Sequence, residues 1–244
     1  MDGTIAIRVI SLPDSARRRS RIAAEMADQP LPWGFVDGLG ADGPGPPAPA
    51  AAQIDAYGRA LTDSEIGCAR SHLAALAAFD EEPALRWLTV IEDDVWLDPE
   101  FDLAALAARL DDLGIGYLRL FAREWRPARE VARLGERQIL HVSSDPYGTQ
   151  GYVIDRASAD RLRRGMRQIL RPIDDEMGRF WEHGLDIHML FPFPLTERDD
   201  TSILAAARDR ARAARPAPTL ARRRRKLADA VAKRLYLLRR RLRN

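Results

Sequence analysis

The sequence of 244 residues predicts an α/β fold with a mainly parallel central sheet flanked by helices. Apolar, β-rich runs alternate with helical patterns, which is typical of parallel strands joined by helical crossovers. The hydrophobic fraction of 46% is sufficient for a substantial core. No run approaches the ~18 continuous apolar residues of a membrane span, and no secretory signal is recognisable. The single cysteine, Cys68, excludes an internal disulfide and is compatible with a reducing cytosol.

The first half of the chain predicts three strands and three helices. The strands are apolar runs at residues 5–12, 33–36 and 85–91. The first helix begins at Asp14 or Ser15 and stops before Pro30. The second begins at the capping box Thr62-Asp-Ser-Glu65 and ends before Pro83. The third begins at residues 98–100, where Pro99 suits a first turn. Between them, the Pro/Gly/Ala-rich residues 40–52 predict an irregular surface loop.

The second half continues the alternation less regularly. Strands are predicted at residues 116–121, 138–142, 151–154 and 185–190. A helix is predicted over residues 157–170, and a further segment runs from residue 171 to 181. Residues 123–137 are polar and predict irregular structure. The whole pattern favours a single sheet with helices on its faces.

Three consecutive carboxylates follow the apolar run 85–91, namely Glu92, Asp93 and Asp94. Like charges this close repel each other, and a low-dielectric neighbourhood increases the repulsion. A divalent cation is the simplest compensation, because hard cations bind carboxylate oxygens. Strands of an α/β sheet also deliver such side chains to the edge where ligands bind. The alternative is a solvated turn in which Asp94 or Asp98 caps the next helix.

The net charge of +2 conceals a strong asymmetry. Residues 219–244 carry a net charge of +10, and the rest of the chain carries −8. Apolar residues in this tail are spaced by three and four and predict one stripe of a basic amphipathic helix: Leu227, Val231, Leu235, Leu238 and Leu242. Residues 222–243 are therefore expected to contact an anionic membrane surface. The alternatives are docking on the rest of the chain or pairing with another chain. Nucleic acid is not an expected partner, because the body is acidic and no nucleic-acid motif is recognised.

Several separated motifs together match one pattern. They are Leu61-Thr-Asp-Ser-Glu-Ile-Gly-Cys-Ala-Arg-Ser-His72, Glu92-Asp-Asp94, Gly148-Thr-Gln-Gly-Tyr-Val-Ile154 and Pro172-Ile-Asp174. In this order and spacing, over residues 5–203, the chain resembles the family 25 glycosyltransferases, which include bacterial lipopolysaccharide and lipooligosaccharide glycosyltransferases. One departure is Ser11, where the family often has Asn.

The resemblance implies a GT-A-like, Rossmann-like catalytic domain over residues 1–203 and a separate basic tail over residues 204–244. It also implies a nucleotide-sugar donor, with a UDP-sugar of galactose or another hexose expected, and a glycan or glycolipid acceptor. A divalent metal, Mn²⁺ or Mg²⁺, would be held by Asp94, with Asp93 or Glu92. Such a metal would neutralise charge on the departing nucleoside diphosphate.

Two further groups of residues acquire candidate roles from the resemblance. Asp174 and Asp175 are expected to be catalytic, one positioning the acceptor and one accepting its proton. The alternative is that Asp174 only caps a helix. The expected donor- and acceptor-binding residues are Ser71, His72, Gly148, Thr149 and Tyr152, each of which has an ordinary structural alternative.

The expected function is thus sugar transfer in lipopolysaccharide or lipooligosaccharide biosynthesis, in the cytoplasm at the inner face of the inner membrane. A different class remains open, namely a catalytically silent nucleotide-sugar or glycan-binding module tethered to the membrane. Clustered acids also occur in metal-dependent phosphatases and nucleotidyltransferases, which would release phosphate or pyrophosphate instead.

Overall fold

The computed structural model describes residues 4–198 and 220–242. Within these residues the strands are β1 (Ile5–Ser11), β2 (Trp33–Asp37), β3 (Trp87–Glu92), β4 (Val95–Leu97), β5 (Tyr117–Arg119), β6 (Ala128–Leu134), β7 (Arg137–Val142), β8 (Gly151–Asp155), β9 (Ile187–Phe191) and β10 (Leu195–Glu197). The helices are α1 (Ala16–Glu25), α2 (Ala50–Ala56), α3 (Asp63–Asp80), α4 (Leu103–Leu113), α5 (Arg156–Gly165), α6 (Ile173–Met177), α7 (Phe180–His183) and α8 (Leu220–Arg241).

Eight of these strands form one sheet in the order β2-β1-β3-β8-β5-β9-β7-β6. The β1 strand is parallel to β2 and β3, and β5 is parallel to β9. The other four pairings are antiparallel. The predicted α/β class is confirmed, but the prediction of a mainly parallel sheet is wrong. Between β5 and β8 the chain forms the antiparallel β6–β7 pair rather than a helical crossover. The β8 strand then returns antiparallel to both of its neighbours, β3 and β5.

The sheet has an apolar core on each face. On one face, α3, α5 and α6 pack through residues such as Leu76, Leu162 and Met177. On the other face, α1 and α4 pack through residues such as Ile22 and Leu106. Because side chains of a strand alternate between faces, the odd-numbered residues of β1 enter the second core while Ala6 enters the first. The sheet is therefore packed between two helical layers.

The α3 helix begins as predicted. Thr62 accepts a hydrogen bond from the backbone N–H of Glu65, and the Glu65 carboxylate accepts one from the N–H of Thr62. This reciprocal pair satisfies two donors that a helix start leaves open. Arg59 donates to both oxygens of the same carboxylate, at 2.6 and 2.7 Å, so the start of α3 is fixed in position.

Several predicted element boundaries are wrong. The helix predicted to begin at residues 98–100 is α4, which begins at Leu103 with Asp102 as its N-cap. The α5 helix ends at Gly165 rather than at residue 170. The predicted loop 40–52 runs into α2, and the predicted irregular segment 123–137 contains β6. The short β4 and β10 strands, which pair with each other, were not predicted.

The α8 helix packs against the body near α7 and α2. Residues 204–219 of the predicted tail lie outside the described residues. In residues 4–198 and 220–242, no helix is long and apolar enough to cross a membrane.

Candidate active site

The three carboxylates after β3 have separate surroundings. Asp93 is buried and accepts hydrogen bonds from the Ser11 hydroxyl at 2.6 Å and from Arg18 at 2.9 Å. Arg18 of α1 therefore partly balances its charge, and Ser11 of β1 adds a second hydrogen bond. The next helix is capped by Asp102, so the alternative in which Asp94 or Asp98 provides that cap is wrong.

The Asp94 carboxylate has surroundings that fit a cation. Its Oδ1 atom is buried and has no hydrogen-bond partner among the described residues. Burial, followed by the negative charges of Glu92 and Asp93, raises the pKa of Asp94 to about 7. A bound divalent ion would satisfy the open oxygen and relieve the repulsion, since hard cations prefer carboxylate oxygens.

Glu92 turns toward α3. Its Oε1 atom lies 3.3 Å from the Nε2 atom of His72. The other ring nitrogen of His72, Nδ1, lies 3.2 Å from the Tyr152 hydroxyl. His72 and Tyr152 are both fully buried, and their rings stack with centroids 5.7 Å apart. Two residues predicted to bind ligand thus position each other and Glu92.

A buried polar network extends from Tyr152 to a second acidic region. The rings of Tyr152 and Tyr117 meet with centroids 5.9 Å apart. The Tyr117 hydroxyl accepts a hydrogen bond from Nε of Arg119 at 3.0 Å. Arg119 is entirely buried, and it pairs with Asp145 at 3.1 Å. Arg119 therefore joins the Tyr117 hydroxyl to the Asp145 carboxylate inside the core.

Asp174 and Asp175 lie on α6, beside this network. The N-cap of α6 is Pro172, so the alternative that Asp174 caps the helix is wrong. The Oδ1 atom of Asp174 is buried without a hydrogen-bond partner in the described part of the chain. Burial, followed by the charges of Asp145 and Asp174, raises the pKa of Asp175 to about 6. A carboxyl group of this kind is ionised at neutral pH but still basic enough to accept a proton.

The remaining predicted residues occupy structural positions near the same edge of the sheet. The Ser71 hydroxyl donates to the Gly67 carbonyl and accepts from the Leu39 N–H at 2.8 Å. Gly148 adopts a φ of +93°, which favours glycine, and its carbonyl accepts a hydrogen bond from Arg119 at 3.2 Å. Thr149 is buried directly beside it. Gly148 thus makes the turn that brings residues 148–150 to the edge where β3 and β5 end.

A large cavity lies away from the acidic residues described above. It has a volume of about 1030 Å³ and is lined by the start of β5, the end of β8 and one side of α8. Because β8 is antiparallel to β3 and pairs Asp155 with Trp87, this cavity lies at the opposite edge of the sheet from Glu92. The chemistry-bearing acids, rather than cavity size, identify the candidate site.

Several residues of the site were not predicted. The fully buried Arg119 forms an ion pair with the partly buried Asp145. An arginine in the apolar segment Gly116-Tyr-Leu-Arg-Leu-Phe121 was a signal in the sequence, because charged side chains are seldom fully buried without a partner. Arg18 could not be distinguished from its arginine neighbours without the structure.

Comparison with known families decides the class of protein. A family model described as glycosyltransferase family 25 (LPS biosynthesis protein) matches residues 4–131, more than half of the chain. The chain belongs to glycosyltransferase family 25. It is therefore a glycosyltransferase, an enzyme that transfers a sugar to an acceptor. The matched region of the glycosyltransferase contains His72 and the three acids Glu92, Asp93 and Asp94, whereas Tyr152, Asp174 and Asp175 lie beyond it.

Solved structures and curated proteins add little to this assignment. The crystal structure of A197 from STIV is similar, with a TM-score of 0.48, 13% identity, and coverage of 79% of this chain and 83% of that chain. A crystal structure of a glycosyltransferase involved in the glycosylation of the major capsid of PBCV-1 has a TM-score of 0.36 and 12% identity. That alignment covers 64% of this chain and 62% of the other. Comparison with curated proteins gives no match.

Proposed function

We propose that this glycosyltransferase transfers a hexose from a UDP-sugar to a cell-surface glycan or glycolipid acceptor in lipopolysaccharide or lipooligosaccharide biosynthesis, assisted by Mn²⁺ or Mg²⁺. The observation that carries the proposal is the state of Asp94. Its half-buried carboxylate, crowded by Glu92 and Asp93, has one buried oxygen without a hydrogen-bond partner among the described residues and a pKa raised to about 7. A carboxylate in this state is suited to a cation that enters with a diphosphate.

In the donor half of the proposed site, the carboxylates that follow β3 would have separate roles. Asp94 would hold the metal, while Glu92 is turned toward His72 and Asp93 is already paired with Arg18. When bound, the metal would act as a Lewis acid toward the diphosphate leaving group. The role of Asp93 is then to fix the turn between β3 and β4, so that Asp94 is presented in one orientation.

The acceptor half would depend on Asp174 and Asp175. Asp175, with a pKa of about 6, is ionised at neutral pH and accepts the proton of the attacking sugar hydroxyl. Asp174, with its buried and open Oδ1 atom, accepts a hydrogen bond from a neighbouring hydroxyl and orients the ring. Arg119 forms an ion pair with Asp145, which fixes the position of that carboxylate near Asp174 and Asp175.

The enzyme would work at the cytoplasmic surface of the inner membrane, and α8 is the part of the chain that would contact lipid. One face of α8 is tied to the body. Arg179 donates to both oxygens of Asp229 at 2.6 and 3.1 Å, and the Tyr236 hydroxyl donates to Asp186 at 2.9 Å. Tyr236 also packs against the Phe180 ring. Because Arg179 follows closely on α6, the helix is attached next to the proposed catalytic acids.

The opposite face of α8 is apolar and open. Its five residues Leu227, Val231, Leu235, Leu238 and Leu242 are between 48% and 79% exposed. At about 100° per residue, these five residues occupy an arc of about 80°, and the docked residues Asp229, Tyr236 and Arg240 lie about 140–180° from the centre of that arc. Exposed basic side chains flank the apolar arc: Arg223, Arg234 and Arg239. Such a face suits an anionic bilayer surface, where apolar residues enter the interface and each basic residue adds ~1 kcal/mol.

Flotation of the full-length protein with lipid vesicles tests this location. Binding is expected to vesicles that contain phosphatidylglycerol and to be absent with pure phosphatidylcholine. The Val231→Asn, Leu235→Asn variant should lose at least about tenfold in affinity, since each buried apolar side chain contributes roughly 1.5–3 kcal/mol. The control Ala230→Asn, Ala232→Asn changes exposed residues outside the apolar arc and should bind normally. Equal binding to both lipids, no binding, or a dimer dissociated by the first variant would contradict the membrane location.

Release of nucleoside diphosphate from a panel of nucleotide sugars tests the reaction. UDP-galactose and UDP-glucose come first, each with Mn²⁺ or with EDTA. Metal-dependent release from one donor, with UDP as product, is the expected result. Release of inorganic phosphate or pyrophosphate instead, or transfer that is unaffected by EDTA, would overturn the proposed mechanism.

A further inference from the structure

A second group of metal-ligating side chains lies next to the proposed donor site. The Cys68 thiol, the His72 imidazole and the Glu92 carboxylate each offer one ligand atom, and these three atoms lie within 4.8 Å of one another. Cys68 and His72 are four residues apart on α3 and share one face of that helix. We propose that these three side chains form a binding site for a borderline-soft divalent cation such as Zn²⁺ or Co²⁺.

The spacing of the ligand atoms supports this assignment. Nε2 of His72 and Oε1 of Glu92 are 3.3 Å apart. Bonds of about 2.0–2.1 Å in a tetrahedral zinc site place a nitrogen and an oxygen ligand about 3.3 Å from each other. A sulfur ligand needs to be about 3.6 Å from either atom, so the Cys68 sulfur must approach by about 1.2 Å at most.

The His72 ring is held in the orientation that a ligand needs. Its Nδ1 atom meets the Tyr152 hydroxyl at 3.2 Å, and Tyr152 is fully buried in the core. Histidines that bind metals usually make such a hydrogen bond through the second ring nitrogen, which fixes the ring and directs the first nitrogen at the metal. Here that first nitrogen points at Glu92.

The donor set distinguishes this site from the one at Asp94. A thiolate and an imidazole favour Zn²⁺ or Co²⁺, whereas a site made only of carboxylate oxygens suits Mg²⁺ or Mn²⁺. Three protein ligands leave a fourth tetrahedral position for water or a substrate group. The inference does not depend on the proposed transfer reaction, although Glu92 lies between the two sites.

The single cysteine of the sequence makes the first test specific. The rate at which a thiol reagent modifies the purified, tag-free protein is measured with and without Zn²⁺. We expect Zn²⁺ to slow modification of Cys68 at least about tenfold, and to have at most a twofold effect in Glu92→Gln and His72→Gln. Glu92 is only half-buried, so its variant keeps the test valid if the His72 variant fails to fold. Unchanged labelling of the wild type would overturn the proposal.

Titration with Co²⁺ gives a second, spectroscopic test. A thiolate-to-cobalt charge-transfer band is expected in the wild type and in Asp94→Asn, and should be absent in Cys68→Ser. A band that survives in Cys68→Ser, or no band in the wild type, would overturn the site. Loss of the band in Asp94→Asn would show that the cation binds at the donor site. That result would also overturn the proposal of a separate site at Cys68, His72 and Glu92. None of these results depends on sugar transfer, so failure of this site is distinguishable from failure of the proposed function.

Discussion

Arg18 donates a hydrogen bond to the Oδ1 atom of Asp93 at 2.9 Å across 75 positions of sequence. The adjacent carboxylate, Asp94, has a buried oxygen without a hydrogen-bond partner among the described residues. Two neighbouring acids of one motif therefore have different tasks: Asp93 holds the turn, and Asp94 is the carboxylate that remains for a ligand.

This difference predicts opposite effects of two similar substitutions on stability. Asp93→Asn removes the charge-assisted hydrogen bond between Arg18 and the buried Asp93 carboxylate, and should lower the free energy of unfolding by roughly 1–3 kcal/mol. Asp94→Asn removes a crowded charge and should leave the metal-free protein equally or more stable. Urea denaturation of both variants at pH 8 with EDTA measures the two values. Equal destabilisation by both substitutions would contradict the separation of roles.

The raised pKa of Asp94 predicts how stability depends on pH. The pKa is about 7 in the folded protein against an ordinary value of 3.8, so the folded state binds this proton more tightly than the unfolded chain. The stabilisation is complete below about pH 4 and is lost as pH rises through about 7. Burial lowers the pKa of His183 and His188 to about 4, which acts in the opposite direction at acidic pH.

Comparison with a variant isolates the contribution of Asp94. Between pH 5 and pH 8, with EDTA present, the melting temperature of the wild type should fall relative to that of Asp94→Asn by about 2–8 °C. Added Mn²⁺ should reverse the fall in the wild type alone. A constant difference between the two proteins across this pH range would show that Asp94 does not titrate as described.

Asp175 should determine the acidic side of the activity profile. Its pKa of about 6 predicts that kcat/KM declines below about pH 6, as the proposed base becomes protonated. Asp175→Asn should lower kcat by roughly 10²–10⁴-fold and remove this decline from the residual activity. If the acidic decline persists unchanged in the variant, another group is the base.

The buried Arg119 should be far more important for stability than an exposed arginine in a similar pair. Arg119→Met leaves Asp145, whose side chain is only 16% exposed, without its arginine partner and should cost about 3–5 kcal/mol of unfolding free energy. The matched control is Arg86→Met, because Arg86 pairs with Asp111 at the surface and such pairs contribute about 0–1 kcal/mol. Chemical denaturation measures both, and similar losses would contradict the network.

The sequence predicted those parts of the fold that depend on local patterns. The capping box at Thr62 and the apolar strand before Glu92 are read from adjacent residues, and both are present. The β6 strand escaped prediction because it is an exposed edge strand rich in arginine and glutamate, without the alternation that a buried face imposes. The antiparallel direction of β8 depends on how the segment after β7 returns to the sheet, which local pattern does not specify.

The site was predictable in its composition but not in its arrangement. The motif around Asp94 and the pair at Asp174 could be read from the sequence. The pairing of Asp93 with Arg18, of Glu92 with His72 and of Arg119 with Asp145 depends on long-range contacts. In the sequence Cys68 is an isolated cysteine, and the structure places it beside two other possible metal ligands.

Direct measurement of Mn²⁺ binding tests the central claim about Asp94. Electron paramagnetic resonance reports free Mn²⁺ during titration of the wild type, Asp94→Asn and the control Asp112→Asn, whose acid is exposed on α4, each in the presence of UDP. We expect tight binding by the wild type and the control, and affinity reduced at least about tenfold in Asp94→Asn. Equal Mn²⁺ affinity in all three proteins would contradict the assignment of Asp94 as the metal-binding carboxylate.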